Sequence, residues 1–281
     1  HTVVLTVTDL AGNTDECSVS ISVVDTTPPV AICQDILVYL DLNGDVTINA
    51  QDLDGGSTDN GNIVDWSATQ TAFNCTDLGP NNVTLTVTDD ASPATLSDQC
   101  VAIVTVLDTI APAIVCQDIV IQLNAAGNAS FVAADLDGGT TDACGFTLSA
   151  DITSFDCDDT GDNTVTLTAT DSSGNSSVCD ATVVVEDNIL PVMTCTPAIT
   201  VSNDPGMCGA SVNYTVPGVT DNCSTTITAQ PGSGHSPGDF FPVGTTWVGY
   251  FATNPSNGVS VTCWFPITVN DIEAPVLNCP V

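Results

Sequence analysis

The residues with the clearest chemical capacity in this chain are aspartates. The run Asp52-Leu-Asp54-Gly-Gly-Ser57-Thr-Asp59-Asn60 recurs as Asp135-Leu-Asp137-Gly-Gly-Thr140-Thr-Asp142. Carboxylates at alternate positions can converge on one hard, oxygen-seeking cation, and glycine permits the tight turn that brings them together. The pattern is similar to the start of many calcium loops, without the glutamate at the twelfth position that an EF-hand uses. The competing reading is a set of polar turns in which aspartates accept backbone amides.

Composition sharpens the question. The chain has 34 acidic residues and no lysine or arginine, for a formal net charge of −34. Glutamate occurs only at Glu16, Glu186 and Glu273, so nearly all the acids are the short carboxylate. No pair of side chains can form a permanent ion pair, and neutralisation must come from outside the chain. Nucleic acid is excluded as a partner because phosphate binding relies on Lys and Arg, and anionic membrane surfaces are excluded for the same reason. A hydrophobic content of 43% sets the chain apart from disordered acidic sequences. No apolar run approaches the ~18–20 residues of a membrane span, so direct membrane insertion is not expected. No signal peptide stands out, and the chain opens in the middle of a strand-like pattern.

Catalysis finds no constellation. His1 and His235 are the only histidines, and His235 lies in a Gly/Pro/Ser loop whose neighbours Ser236 and Asp239 do not make a triad by sequence proximity. Trp66, Trp247 and Trp264 fall in strand-like contexts and are expected to fill cores rather than present a sugar-stacking platform.

The elements that must position these residues come in repeats. A boundary phrase recurs as Asp25-TTPPVAI-Cys33, Asp108-TIAPAIV-Cys116, Asp187-NILPVMT-Cys195 and Asp271-IEAPVLN-Cys279, at intervals of 83, 79 and 84 residues. A second phrase ends at Cys17, Cys100, Cys179 and Cys263, always 16 residues before the next boundary cysteine. The expected organisation is a preceding repeat's last strands over 1–25, complete repeats over 26–108, 109–187 and 188–271, and the start of another over 272–281. Alternating β-branched stretches such as VTINA, VTLTV and VAIVTV, bounded by Gly, Asn, Asp and Pro, predict strands. Seven short strands in about 80 residues is the immunoglobulin-like pattern. The fold class is therefore all-β: tandem immunoglobulin-like β-sandwiches in an extended rod, with each module adding roughly 35–40 Å.

Strand direction constrains the 13 cysteines. Cys33 lies on the first strand and Cys100 on the last. These strands run the same way and can lie side by side, which makes Cys33–Cys100, Cys116–Cys179 and Cys195–Cys263 feasible. The rival scheme joins cysteines across the 16-residue gap, as in Cys17–Cys33. Second pairs are expected within repeats, Cys144–Cys157 and Cys208–Cys223. Cys17 and Cys279 then pair outside this sequence, and Cys75 is left as a free, buried thiol, because Gly61 aligns with Cys144. Such cysteine usage predicts an oxidising, extracellular or cell-surface setting.

The same topology puts the second-to-third strand loop and the last hairpin at one end of each module, where the boundary aspartate arrives. Asp25, Asp52, Asp54, Asp59 and Asp89 are expected to converge at one junction, and Asp108, Asp135, Asp137, Asp142 and Asp171 at the next, with Ca2+ as cofactor. The third repeat keeps Thr220-Asp221-Asn222 but lacks the DLDGG run, and Asn254 replaces the hairpin aspartate. Its junction is expected to bind calcium weakly or not at all.

Repeat three carries CGA-x-V-x-Y at Cys208–Tyr214, TDNC at Asp221–Cys223, FPVGTTWVGY at Phe241–Tyr250 and C-x-F-x-I-x-V-x-D at Cys263–Asp271. It resembles the hyalin repeat (HYR) module, an immunoglobulin-like extracellular domain associated with adhesion. Repeats one and two, with DLDGGSTD, FNC or FDC, and VTLTVTD, resemble the variant found in tandem in giant surface proteins of gliding-type bacteria, secreted by the type IX route. The resemblance implies a non-catalytic stalk of a large adhesin or surface filament, with further repeats of the same chain, surface glycans or proteins as partners. A spacer array in a secreted multidomain enzyme and directly ligand-binding modules are the alternatives. The Asp-Thr steps at Thr26 and Thr109 resemble the O-glycosylation pattern of such bacteria.

Overall fold

Each sandwich is built on one long hairpin whose alternation decides what is buried. In the strand Gly79–Asp89, Val83, Leu85 and Val87 are fully buried and the intervening threonines face outward. Its antiparallel partner Ser97–Leu107 buries Ala102, Val104 and Val106 in the same way. Fully burying one such Val or Leu side chain is worth about 1.5–3 kcal/mol, so a one-residue slip, which would turn the whole stripe to solvent, is strongly disfavoured. The computed structural model describes residues 1–231 and 235–275.

By its internal contacts the chain divides into two units. The first comprises His1–Pro112 together with Thr141–Phe146 and Thr170–Ser176. It holds the hairpin of Thr2–Thr8 with Thr14–Ser20, which pairs Leu5 opposite Cys17, the register in which Leu85 lies opposite Cys100. It also holds the sandwich of repeat one. Four strands run in the order Ile36–Tyr39, Ser97–Leu107, Gly79–Asp89, Ile63–Ala68, with Ile36–Tyr39 parallel to Ser97–Leu107. Asp45–Thr47 and Ala72–Asn74 form the second, smaller sheet. Leu40, Leu53 and Phe73 close the core from that side.

The second unit comprises Ala113–Thr140, Thr147–Ala169 and Ser177 onward. It repeats the plan twice. Repeat two orders its strands Phe146–Ala150, Gly161–Asp171, Ser176–Glu186, Ile119–Gln122. Repeat three orders them Ile199–Ser202, Ser260–Asn270, Gly244–Thr253, Ile227–Ala229. In both, first and last strands are parallel. The chain is thus all-β, a tandem series of immunoglobulin-like sandwiches.

Disulfides Cys33–Cys100, Cys116–Cys179 and Cys195–Cys263 tie the segment just ahead of each first strand to the parallel last strand. The second set differs from expectation. Cys144 does not pair with Cys157, nor Cys208 with Cys223; the bonds are Cys75–Cys144 and Cys157–Cys223, and Cys75 is not free. Strand length supplies the reason. Cys144 precedes the five-residue strand Phe146–Ala150, and Cys157 lies beyond it, before the return strand Gly161–Asp171, so they sit at opposite ends of one module. A five-residue strand spans about 17 Å, whereas bonded cysteines need Cα atoms within about 7 Å. Each bond instead joins the lower end of one repeat to the upper end of the next. Cys17 and Cys208 are free and exposed among the described residues, and Cys279 lies outside them.

Tryptophan placement also departs from expectation. Trp247 and Trp264 are 57% and 49% exposed, on the outward face of their strands, and only Trp66 lies partly against a core. Gly249 explains Trp264: a Cβ there would sit 2.7 Å from the indole, which lies across the neighbouring strand.

Candidate functional site

Asp89 continues the inward stripe of Val83, Leu85 and Val87, and this register buries it completely. Its Oδ1 accepts the backbone amides of Ala91 and Leu96 at 3.1 and 2.7 Å, closing the hairpin loop. Its Oδ2 is buried with no hydrogen-bond partner. The boundary residue Asp25 and the turn residue Asp59 meet it there, with ligand oxygens of all three within 4.8 Å of one another. Asp59 Oδ1 is likewise buried and unpartnered. Asp25 is held by the backbone amide of Thr27 at 3.0 Å and by the Asn60 side-chain amide at 3.1 Å to both oxygens. These donors hold its carboxyl below the usual carboxylate range. Gly61 lies beside the group: a Cβ at this position would meet Asp90 Oδ1 at 3.1 Å and Asp59 Oδ2 at 3.2 Å. Three carboxylates with two orphaned, desolvated oxygens fit a hard divalent cation, which takes oxygen ligands and removes the cost of leaving them bare.

Asp52 and Asp54, expected in this group, are not part of it. Residues 54–58 run antiparallel beside 30–33, with Cys33 opposite Asp54 and Val30 opposite Thr58. Asp54 therefore lies back along the module from Asp59, beside Cys33 rather than beside Val30. Asp54 folds its own turn, accepting from Ser57 Oγ at 2.6 Å and from the Ser57 backbone at 2.9 Å. Burial opposes its ionisation, yet these donors outweigh it and lower its pKa. Asp52 caps a 3-10 turn through the Asn49 amide at 2.8 Å. The double glycine has a backbone role, since a Cβ on Gly55 would lie 2.9 Å from the Cys33 carbonyl group.

Repeat two copies the turn but not the cluster. Asp135 caps Val132 at 2.9 Å, and Asp137 accepts from Gly139 and Thr140. Asp142 accepts from Cys144 at 2.9 Å and Asp108 from Ile110 at 3.0 Å. Asp171 occupies the position of Asp89, but Asn175 answers it: the Asn175 side-chain amide donates to Asp171 Oδ2 at 2.8 Å. Burial pushes against ionisation of Asp171, and Asn175 with the neighbouring backbone amides overcomes it, lowering the pKa. Among the described residues, Asp108, Asp142 and Asp171 do not form a ligand group of the Asp25 type.

In repeat three, side-chain amides answer the boundary aspartate, while Asp221 Oδ2 and Asn222 Oδ1 beside it are buried without a partner. Asp187 is fully buried, and Asn254 donates to its Oδ2 at 3.1 Å while Asn222 donates to its Oδ1 at 3.0 Å. Asp221 beside it has a raised pKa: burial outweighs the Asn222 backbone amide that favours its charge, and the charge of Asp187 adds to the rise.

The disulfide ends are equally built. Asn74 and Asp77 close a short turn that presents Cys75, and Asp156 and Asp159 do the same for Cys157. Opposite each stands a glycine with positive φ. A Cβ on Gly44 would lie 2.7 Å from Cys75 Sγ, and on Gly127 2.8 Å from Cys157 Sγ. The sequence signal for these inter-repeat bonds is the alignment of Gly61 with Cys144 and Cys223: only the two repeats with an upper cysteine are stapled to the repeat before them. Elsewhere, His235 stacks on Phe241 with ring centroids 4.5 Å apart. Thr26 and Thr109 are exposed on irregular segments.

Tandem immunoglobulin-like sandwiches with five disulfides among the described residues define an extracellular array of structural modules. Residues 186–269 match the HYR domain. The chain is 30% identical to hyalin of Strongylocentrotus purpuratus over 99% of its own length and 24% of that protein. It is 38% identical to hyalin of Lytechinus variegatus over 42% of its length and 22% of that protein. It therefore spans about a quarter of the length of these curated relatives. Similar solved structures include PcdhgB3 EC1-4, at 14% identity and TM-score 0.32 over 97% of this chain and 83% of that one. Drosophila N-cadherin EC1-3 matches at 15% identity and TM-score 0.32, over 86% and 99%. No described helix is long and apolar enough to cross a membrane.

Proposed function

We propose that these modules form a non-catalytic stalk in a large extracellular adhesion-type protein, stapled from repeat to repeat by disulfides and held at its first junction by calcium. The observation that carries the reading is the pair of bonds Cys75–Cys144 and Cys157–Cys223, each joining consecutive repeats. A bond inside a module stabilises that module; a bond between modules resists their separation under load, which is what a stalk needs. Calcium at Asp25, Asp59 and Asp89 supplies the same restraint where repeat one has Gly61 in place of an upper cysteine. Partners are further repeats of the same chain and proteins or glycans at its far end. Thr26 and Thr109 are accessible for O-glycosylation. The narrower reading of a bacterial surface adhesin rests on the sequence resemblance alone; the relatives reported above are eukaryotic and do not support it.

Small-angle scattering tests the stalk. Three modules end to end should give a maximum dimension of roughly 105–120 Å in the oxidised, calcium-loaded chain, and reduction should broaden the distribution. Scattering of independently tumbling modules in both states would overturn the reading. A second reading, direct glycan binding, is favoured by the exposed Trp247 and Trp264; quenching of tryptophan fluorescence by a soluble glycan, lost in Trp247→Ala, is its signature.

A further inference from the structure

Registers of the small sheets align the lower ends of the three repeats residue by residue. Asp45 pairs with Asn74, Asn128 with Asp156, and Gly209 with Pro242. Stepping back one residue on the first strand and forward one on the second makes Gly44, Gly127 and Cys208 equivalent, and likewise Cys75, Cys157 and Val243. Repeats one and two thus place glycine opposite a bonded cysteine, and repeat three places a cysteine opposite valine. In the first two, the glycine position lies within van der Waals reach of the bonded sulfur. In the third, the two positions remain neighbours, with the Val243 amide donating to the Cys208 carbonyl at 3.1 Å. The sulfur has changed strands without leaving its place at the end of the module.

The course of the chain adds an independent observation. As it leaves repeat three it is bound to the same turn that bears Cys208. Asn203 donates its backbone amide to Asn270 at 2.9 Å, Ile272 donates to Asn203 Oδ1 at 3.1 Å, and Gly206 donates to Glu273 at 2.9 Å. The corresponding exits bind the Leu40 and Leu123 turns through Leu107 and Glu186, and both lead to a module whose upper cysteine takes the sulfur waiting there.

We infer that Cys208 is the outgoing half of a third inter-module disulfide, whose partner is a cysteine at the Thr-Asp-x-Cys position of the module opened by the boundary phrase at Asp271. The exposure of Cys208 and its lack of a partner among the described residues are those of a thiol presented outward. Joining the two thiols releases two protons and passes two electrons to a thiol–disulfide oxidant, whose own disulfide becomes a dithiol. This inference does not depend on calcium at the first junction.

Mass mapping of the full-length protein under non-reducing conditions tests it, using an Asp/Glu-directed protease because trypsin has no site in residues 1–281. The expected product is the Cys208 peptide cross-linked to a peptide with Cys at a Thr-Asp-x-Cys position beyond residue 281. Recovery of Cys208 bonded to Cys223, or alkylated before reduction, would overturn the inference. In the same full-length protein, Cys208→Ser should expose one new alkylatable thiol in the following module while Cys157–Cys223 stays intact. Failure to expose that thiol would also overturn it.

Discussion

Replacing Asp89 by asparagine should stabilise repeat one without calcium and weaken it, relative to wild type, with calcium. Asparagine keeps Oδ1 where Asp89 Oδ1 accepts from Ala91 and Leu96. Its Nδ2 takes the place of the orphaned Oδ2 and donates toward Asp25 and Asp59. Repeat three already uses this arrangement, where Asn254 donates to Asp187 Oδ2 at 3.1 Å. An unsatisfied buried oxygen costs about 1–3 kcal/mol, so in chelator the variant should gain about that much. Each kcal/mol corresponds to roughly 4–8 °C in a domain of 60–100 residues. In calcium at a thousand times its dissociation constant the wild type gains about 4.1 kcal/mol, and the variant forfeits most of it. Scanning calorimetry of both proteins in chelator and in calcium should therefore show their order of stability reverse. If Asp89→Asn is destabilised equally in both buffers, Asp89 is a loop residue and the cation argument fails. A wild type that does not respond to calcium refutes it as well.

Three further outcomes follow from the same geometry. Asp54→Ala and Asp137→Ala should lower the melting temperature by the same amount in calcium and in chelator, because both carboxylates fold their own turns. Gly44→Ala should block formation of Cys75–Cys144, since its Cβ would lie 2.7 Å from Cys75 Sγ at a φ of +79°; two additional thiols should titrate, and loss of a 69-residue closure worth about 4 kcal/mol in the chain-entropy account should appear in denaturant unfolding. Asp221→Asn should raise stability near neutral pH and leave it unchanged well below pH 4. The folded pKa of Asp221 lies above its unfolded value, so its ionisation penalises the folded state increasingly as pH rises. Urea titrations across pH would expose a missing or inverted dependence.

Local patterning was enough for the all-β class, the tandem recurrence of the module and the parallel run of its first and last strands, because these follow from alternation along each strand and from the recurrence of Pro, Asp and Cys phrases. Val83, Leu85 and Val87 announce an inward stripe by spacing alone. The parallel first and last strands, and the cysteines that tie them together, follow from counting strand reversals. What the sequence could not fix was which chemical groups meet where modules adjoin. Asp54 and Asp59 are close along the chain, yet an extended segment carries one back beside Cys33 and leaves the other at the module's end. Cys144 and Cys157 look like natural partners 13 residues apart, yet one strand holds them at opposite ends and each finds a sulfur about five times farther along the chain. The carboxylate cluster itself depends on three residues from separate segments, and on Asp89 Oδ2 having no amide donor of the kind that Asn175 gives Asp171 Oδ2. Proximity along a strand is a local property and legible in sequence. Convergence at an end of a sandwich is decided by strand length and register summed over the whole module, and only the tertiary structure performs that sum.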